Sequence, residues 1–167
     1  STISFVDSFS VTNEETIPQG VAFNNDGTKM FVTGRTGDDV NEYTLSIGFD
    51  LTSTISFVDS FSVTDEEISP TGVTFNNDGT KMFVIGFASD NVNEYTLSTG
   101  FDLTSTVSFI DSFSVNAQDT APQEVVFNND GTKMFVVGEI GDNVYEYTLT
   151  TGFDVSSASF VDSFSVS

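Results

Sequence analysis

The chain has 167 residues, of which 38% are hydrophobic and none is Cys, so it can build a packed core but no disulfide or thiolate metal site. Its 25 acidic and 4 basic residues give a formal net charge of −21, which would repel both nucleic-acid phosphates and anionic membrane surfaces. We therefore expect no nucleic-acid partner, and the absence of any apolar run near ~18 residues predicts no membrane insertion.

The chain opens with a segment of strand character, S-T-I-S-F-V-D-S-F-S-V-T at 1–12. Phe5, Phe9 and Val11 fall on one side of a period-two pattern, which is typical of a half-buried β-strand. We call this segment strand D. Further copies lie at 53–64, 105–116 and at the end of the chain, where S-F-V-D-S-F-S-V-S occupies 159–167.

The stretch V-A-F-N-N-D-G-T-K-M-F-V at 21–32 predicts a β-hairpin and returns at 73–84 and 125–136. Two short apolar runs, strands A (20–24) and B (29–34), flank an Asp-Gly pair, which is a strong hairpin signal because glycine adopts positive φ without a Cβ clash. The predicted turn residues are Asp26, Gly27, Asp78, Gly79, Asp130 and Gly131, and each of the three glycines is expected at φ > 0.

A polar loop and a further strand follow each hairpin; the first such strand, V-N-E-Y-T-L-S at 40–46, is strand C. These loops differ between the copies, whereas the strands hardly do. If the protein binds a ligand, we expect the contacts where the copies differ. The candidate ligand residues are Arg35, Asp38, Asp39, Phe87, Asp90, Asn91, Glu139, Asp142 and Asn143.

Equivalent residues recur at an offset of 52, as Phe23, Phe75 and Phe127 show. A fixed period of this size, with four short antiparallel strands in each unit and no helical periodicity, is typical of β-propeller blades. The predicted fold is all-β: a propeller-like tandem array of three four-stranded antiparallel blades plus one extra strand. The predicted units are the extra N-terminal strand at 1–12 and blade repeats at 13–64, 65–116 and 117–167.

The repeat resembles a known family. P-Q-G-V-A-F-N-N-D-G-T-K-M-F-V-T at 18–33 and D-V-N-E-Y-T-L at 39–45 are similar to the blade repeats of YVTN- and NHL-like bacterial β-propellers. The resemblance covers all three units and implies the propeller fold. It implies little about function, because surface-layer proteins, lactonases and scaffolds share such propellers.

The chain holds three sets of strands A–C but four copies of strand D. Propellers typically need four to eight blades to close, so three blades predict a partner: further copies of this chain, or the continuation of a longer array. The surplus strand could pair with an exposed edge of a neighbouring molecule. The predicted assembly residues are Phe5, Val6, Phe9, Val11, Phe160, Val161, Phe164 and Val166.

Chemistry-bearing residues are few. The chain has no His and no Cys, and its carboxylate pairs, such as Glu14-Glu15, lie in polar loops where solvated charge is the expected state. The prediction is therefore that the protein is not an enzyme and has no cofactor. Calcium is retained as an alternative, because the Asn-Asn-Asp-Gly turns and Asp-rich loops supply oxygen ligands.

The leading hypothesis is a non-enzymatic extracellular structural protein, a surface-layer or fibril subunit that exchanges strands with its neighbours. The alternative is a glycan- or ligand-binding β-propeller module that uses the variable loops. A chain that begins at Ser1 favours an exported, processed protein or an excerpt over an intact cytoplasmic one. We therefore expect an extracellular or cell-surface location.

Overall fold

The computed structural model describes residues 2–166, which form three antiparallel sheets of four strands each. The predicted all-β fold with three four-stranded units is confirmed, and we call the sheets blades 1, 2 and 3. Blade 1 contains β1 (Pro18–Phe23), β2 (Lys29–Gly34), β3 (Asp39–Leu45) and β4 (Ile55–Ser62). Blade 2 contains β5 (Pro70–Phe75), β6 (Lys81–Gly86), β7 (Asn91–Leu97) and β8 (Val107–Ser114). Blade 3 contains β9 (Pro122–Phe127), β10 (Lys133–Gly138), β11 (Asn143–Leu149) and β12 (Ala158–Ser165).

Each blade begins with the predicted A–B hairpin. In blade 1 the Asn24 carbonyl accepts the Gly27 N–H at 3.1 Å, and Asp26 Oδ1 accepts the Thr28 N–H at 3.0 Å. Gly27, Gly79 and Gly131 have φ of 72°, 71° and 70°, as predicted. The Asp-Gly pair thus fixes the register that places Val21 opposite Val32.

A second turn, between strands C and D, packs onto the first. Phe49, Phe101 and Phe153 have φ near 58°, 56° and 58°, which is unusual for residues other than glycine. The Phe49 N–H donates to the Gly27 carbonyl at 3.1 Å, and its ring covers the face of Gly27 where a Cβ would stand. The two turns at this end of each blade therefore hold each other in place.

The core lies between neighbouring blades. Phe31 of blade 1 is buried with Val73 and Val84 of blade 2 in one cluster. The next cluster, between blades 2 and 3, buries Phe83 with Val125 and Val136. Strand B is apolar on both faces because one face meets the preceding blade and the other meets the following blade.

The first copy of strand D differs from the other three. β4, β8 and β12 each pair with the strand C of their own blade, but residues 3–11 belong to none of the sheets in the described chain. The reason is the order of the elements: each paired copy follows its strand C, and the 167 residues contain no strand C ahead of the first copy.

Helical structure in residues 2–166 is limited to the 3₁₀ turn Val155–Ser157. Its N-cap is Asp154, whose Oδ1 accepts the Ser156 N–H at 3.1 Å. No helix in this part of the chain is long and apolar enough to cross a bilayer.

Candidate assembly interface and ligand loops

The two internal blade junctions show how neighbouring blades fit together. At the first junction the Phe31 ring lies 4.5 Å from the Phe75 ring and 6.3 Å from the Phe101 ring. At the second, Phe83 makes the same contacts with Phe127 at 4.4 Å and Phe153 at 6.3 Å. Phe31 and Phe83 have no exposed surface, so each junction buries one strand-B phenylalanine in an aromatic pocket of the next blade.

An ion pair within one blade also lies at each junction and bonds to the next blade. Lys29 Nζ lies 2.7 Å from Glu42 Oε1 and also donates to the Phe101 carbonyl of blade 2 at 2.6 Å. Glu42 Oε2 accepts the Leu103 N–H at 2.7 Å. At the second junction Lys81 and Glu94 repeat these contacts, with Lys81–Glu94 at 2.6 Å and the Val155 N–H donating to Glu94 at 3.0 Å. The desolvated charges are thus paired and bonded on both sides of the junction.

The trailing face of blade 3 carries the same residues without a following blade in the described chain. Lys133 and Glu146 form the ion pair at 2.6 Å, but their side chains are 51% and 31% exposed, whereas the Glu42 side chain is 0% exposed. Phe135, the equivalent of the buried Phe31 and Phe83, is only half-buried. The strand-B phenylalanine and the Lys–Glu pair that join blades 1 and 2 from the trailing side are therefore present again and more exposed.

The leading face of blade 1 is the open counterpart. Val21 is 57% exposed, whereas its equivalents Val73 and Val125 are 2% and 0% exposed inside the junctions. Phe49 is 63% exposed on the same side. An open apolar groove runs along this face between Met30, Val32, Leu51 and the N-terminal segment.

Residues 9–11 lie against blade 1 in the way that strand D of one blade lies against the next. The Phe9 and Tyr43 rings meet edge-on at 5.6 Å and 76°, and Phe61 meets Tyr95 of blade 2 with the same values. The Val11 carbonyl accepts the Glu15 N–H at 2.8 Å, as the Val63 carbonyl accepts that of Glu67. The packing side of this copy is therefore in place, while its strand-pairing side is unused.

The predicted assembly residues lie largely in solvent. Phe5 and Val6 are 82% and 79% exposed, and Phe164 in β12 is 74% exposed. Phe61 and Phe113, which are equivalent to Phe164, are half-buried because a following blade covers them. The remaining predicted members with large exposure are Phe9, Phe160, Val161 and Val166, and Val11 is half-buried.

The candidate ligand loops are organised by buried carboxylates that the sequence reasoning missed. Glu15 is fully buried, and its Oε1 and Oε2 accept the N–H groups of Ile17 at 2.6 Å, Thr36 at 3.2 Å and Gly37 at 3.3 Å. Burial raises the pKa of the Glu15 carboxyl, but these hydrogen bonds outweigh it and the pKa is lowered. The expectation that Glu14-Glu15 is solvated loop charge is therefore wrong for Glu15; Glu67 and Asp119 are its buried equivalents.

Several of the predicted ligand residues have a conformational role. Asp38, Asp90 and Asp142 have φ of 51°, 54° and 48°. Their carbonyls accept the N–H groups of the residues that directly follow β4, β8 and β12. Asp39 Oδ1 accepts the Asn41 side-chain amide at 2.7 Å. Asn91 and Asn143 begin β7 and β11.

Two of the loops touch each other. The Arg35 guanidinium lies 5.4 Å from the centre of the Phe87 ring, a cation–π geometry that joins the loops of blades 1 and 2. In blade 3 the loop faces solvent with Ile140 69% exposed, and Glu139 accepts a hydrogen bond from Gln123 at 3.4 Å. Within residues 2–166 no three acidic side chains come together as metal ligands would.

The lysines at the start of strand B are more buried than charged residues beside a turn usually are. Lys29 and Lys81 are about three-quarters buried in the junctions. The available signal was their register: a Glu follows each Lys at a distance of 13 residues, and the hairpin pairing makes that a diagonal cross-strand pair.

Comparison with known structures supports the architecture. No protein-family model matches the sequence, and no curated protein matches it. One similar structure is a Bacteroides uniformis protein that is provisionally named a 6-phosphogluconolactonase. It is 13% identical, with a TM-score of 0.62, and the match covers 87% of this chain and 40% of the Bacteroides chain. The periplasmic gluconolactonase of Pseudomonas aeruginosa is 15% identical, with a TM-score of 0.58 over 88% and 38%. The β-propeller domain of Swd1 from Myceliophteria thermophila is 12% identical, with a TM-score of 0.56 over 89% and 43%.

These matches correct the prediction about enzymatic activity and limit the family resemblance to the fold. The sequence lacks His and Cys, and from this we predicted that the chain is not an enzyme. That prediction is wrong, because proteins of similar structure are named as lactonases, which are hydrolases. The resemblance to YVTN and NHL repeats holds only at the level of the propeller fold, since no family model matches. The chain spans about two-fifths of the length of these structures. The chain therefore has the fold of three β-propeller blades.

Proposed function

We propose that this chain is a self-assembling extracellular structural module, of the kind that builds a surface layer or fibril, and that neighbouring copies exchange strand D. The observation that carries the proposal is the surplus copy of that strand. Residues 9–11 pack on blade 1, and residues 3–11 pair with no strand in the described chain. Unpaired backbone N–H and C=O groups on such a segment recruit a strand from a neighbour.

The strand that fits is β11 of a neighbouring copy. Residues 4–11 and 159–166 have the same sequence, S-F-V-D-S-F-S-V, and the second of these is the partner that β11 already has. The pairing joins Tyr147 with Phe160 and Thr148 with Ser159. By sequence equivalence Ser4 takes the place of Ser159 when the strands are exchanged.

Engineered cysteines test the exchange directly, because the chain has no cysteine of its own. Thr148→Cys with Ser4→Cys places two thiols opposite each other only across two copies, whereas Thr148→Cys with Ser159→Cys places them within one chain. After mild oxidation we expect covalent products of two or more chains from the first pair. The second pair forms its bond within one chain wherever β12 keeps its place beside β11. A monomer-sized product from both pairs would refute strand exchange.

An extracellular setting is supported by one comparison. The P. aeruginosa lactonase of similar structure is named as periplasmic, and the acidic composition of this chain suits an exported protein. Detection of the protein outside intact cells by surface proteolysis tests this part of the proposal. Protection from protease in intact cells and loss of protection on lysis would contradict it.

A second candidate, hydrolysis of a sugar lactone, is favoured by Glu124. Burial raises the pKa of this carboxyl, and a carboxyl with a raised pKa is suited to general acid–base chemistry. Its side chain lies over Gly72, and the equivalent positions in blades 1 and 2 are Gly20 and Gly72. Release of acid from gluconolactone above the uncatalysed rate, lost in Glu124→Gln, would support this function; an unchanged rate in the variant would remove it.

Ligand binding by the variable loops, as on a glycan, is the remaining candidate. The contact between Arg35 and Phe87 forms a small exposed surface with one charge and one aromatic face, which suits a sugar ring. Retention of the protein on a glycan array, reduced by Phe87→Ala, would support this function.

A further inference from the structure

We infer that the partner is a second copy of this chain and that two copies close a single six-bladed ring. This inference rests on the proposed self-assembly but replaces open growth through the blade faces by closure after two copies. Each copy of these 167 residues contributes three blades, so a ring built from such copies has a blade number divisible by three. Closed propellers typically have four to eight blades, and six is the one multiple of three in that range.

The apolar surfaces of the two ends match. Phe135 on the trailing face of blade 3 is the equivalent of Phe31 and Phe83, each of which enters a pocket of two aromatic rings on the next blade. On the leading face of blade 1 that pocket is present as Phe23 and Phe49, whose rings lie 5.4 Å apart. The corresponding pairs inside the chain, Phe75–Phe101 and Phe127–Phe153, lie 5.3 and 5.5 Å apart. The open pocket therefore has the dimensions of the two occupied ones.

The polar groups of the two ends match as well. Glu146 Oε2 lacks the cross-blade N–H that Glu42 and Glu94 receive from Leu103 and Val155, and Leu51 is the equivalent donor on blade 1. Lys133 Nζ lacks the cross-blade carbonyl that Lys29 finds at Phe101; its equivalent in the second copy is the Phe49 carbonyl. A ring would thus bury the half-exposed Lys133–Glu146 pair with the bonds that the inner pairs already have.

A third set of contacts is a series of hydrogen bonds between the hairpin turns of successive blades. The Asn25 side-chain amide donates to the Asn77 carbonyl at 2.7 Å, and Asn77 donates to the Asn129 carbonyl at 2.6 Å. Asn129 of one copy would donate to the Asn25 carbonyl of the other. Three independent sets of contacts therefore point to one orientation of the second copy, in which its blade 1 follows blade 3.

A closed ring of two copies has a two-fold axis through its centre and two identical junctions between the copies. At each junction residues 3–11 of one copy and β12 of the other occupy the same position beside β11 and Tyr43. One of these identical strands fills the blade, so the ring forms whether or not exchange takes place. The ring and the strand exchange are therefore tested separately.

The test is the particle mass of the full chain by light scattering, together with electron microscopy. We expect twice the chain mass and discs with six lobes. Phe135→Glu and Val21→Glu each place a charge in every junction and should raise the dissociation constant about a hundredfold or more. The matched control Ile110→Glu, at a residue 52% exposed on β8 of the middle blade, should leave the dimer intact.

Mixing the two variants sharpens the test. Phe135→Glu keeps an intact leading face and Val21→Glu keeps an intact trailing face, so an equimolar mixture should form a 1:1 pair joined at one junction. Filaments sensitive to both variants would keep self-assembly and overturn the ring. A full chain that stays monomeric would overturn both proposals, and dimers that survive Phe135→Glu and Val21→Glu would overturn this interface alone.

Discussion

The glycine at the tip of each hairpin should respond to substitution according to what covers it. Gly27 and Gly79 have φ of 72° and 71°, so alanine at either position adopts a left-handed conformation that costs about 1–2 kcal/mol. The added Cβ also overlaps a ring, Phe49 at position 27 and Phe101 at position 79. The Phe49 and Phe101 rings differ in how far they can move aside, and this difference sets the expected loss of stability.

Phe49 is 63% exposed and can turn into solvent, so Gly27→Ala should cost only the backbone term, about 1–2 kcal/mol. Phe101 is held between Phe31 and Phe75, with ring distances of 6.3 and 5.3 Å, so it cannot move without disturbing the first junction. Overpacking of this kind adds ~1–3 kcal/mol, so Gly79→Ala should cost about 2–5 kcal/mol in all.

The assay is urea unfolding of the monomeric Phe135→Glu protein, in which no second copy covers Phe49. A chain of this size should lose roughly 2–4 °C of melting temperature per kcal/mol, so thermal unfolding gives an independent measure. Gly79→Asn is the control, because asparagine tolerates the left-handed conformation and tests the Cβ overlap with less backbone strain. Equal losses for Gly27→Ala and Gly79→Ala would refute the role assigned to the Phe rings.

Three further outcomes follow from the charges and contacts. The lowered pKa of Glu15 means that its ionised form stabilises the fold at neutral pH, and this contribution should be lost as pH falls below its usual value of 4.5 through the folded pKa; Glu15→Gln should flatten acid unfolding in that range. The raised pKa of Glu124 has the opposite sign, so Glu124→Gln should raise the melting temperature at pH 7 and change it little at pH 3; a lower melting temperature at pH 7 would contradict this. Arg35→Ala should change stability by no more than about 1 kcal/mol in denaturant unfolding, because the cation–π contact with Phe87 is exposed, and a larger loss would show that the contact carries more.

The strands could be predicted from the sequence because their signals are local. The period-two pattern of residues such as Phe57 and Asp59, and the Asp-Gly pair at each hairpin, each depend on neighbours within a few positions. The predicted bounds of strands A and C differ from β1 and β3 by one or two residues. The same residues recur at equivalent positions in all three repeats, so the strand prediction was the same for each repeat.

The buried charges could not be predicted in the same way. Glu14 and Glu15 are adjacent and chemically equal, and only the path of the chain after Val11 decides that Glu15 turns under the loop while Glu14 reaches Tyr43. The burial of Lys29 depends on a carbonyl of the next blade, 72 residues away in sequence. Contacts between repeats leave no local pattern, so the fold itself had to supply them.

The use of the lysines inside the blades has a consequence for the medium in which the protein works. Lys29, Lys81 and Lys133 each neutralise one glutamate of their own sheet, so Arg35 is the one remaining cation of the 4 in the chain. The rest of the surface is anionic, and two copies would approach each other through mutual repulsion. Dissolved salt shortens the range of that repulsion to ~10 Å at 0.1 M and to ~3 Å at 1 M. Association should therefore strengthen with ionic strength, as in brine or seawater, and weaken in dilute buffer.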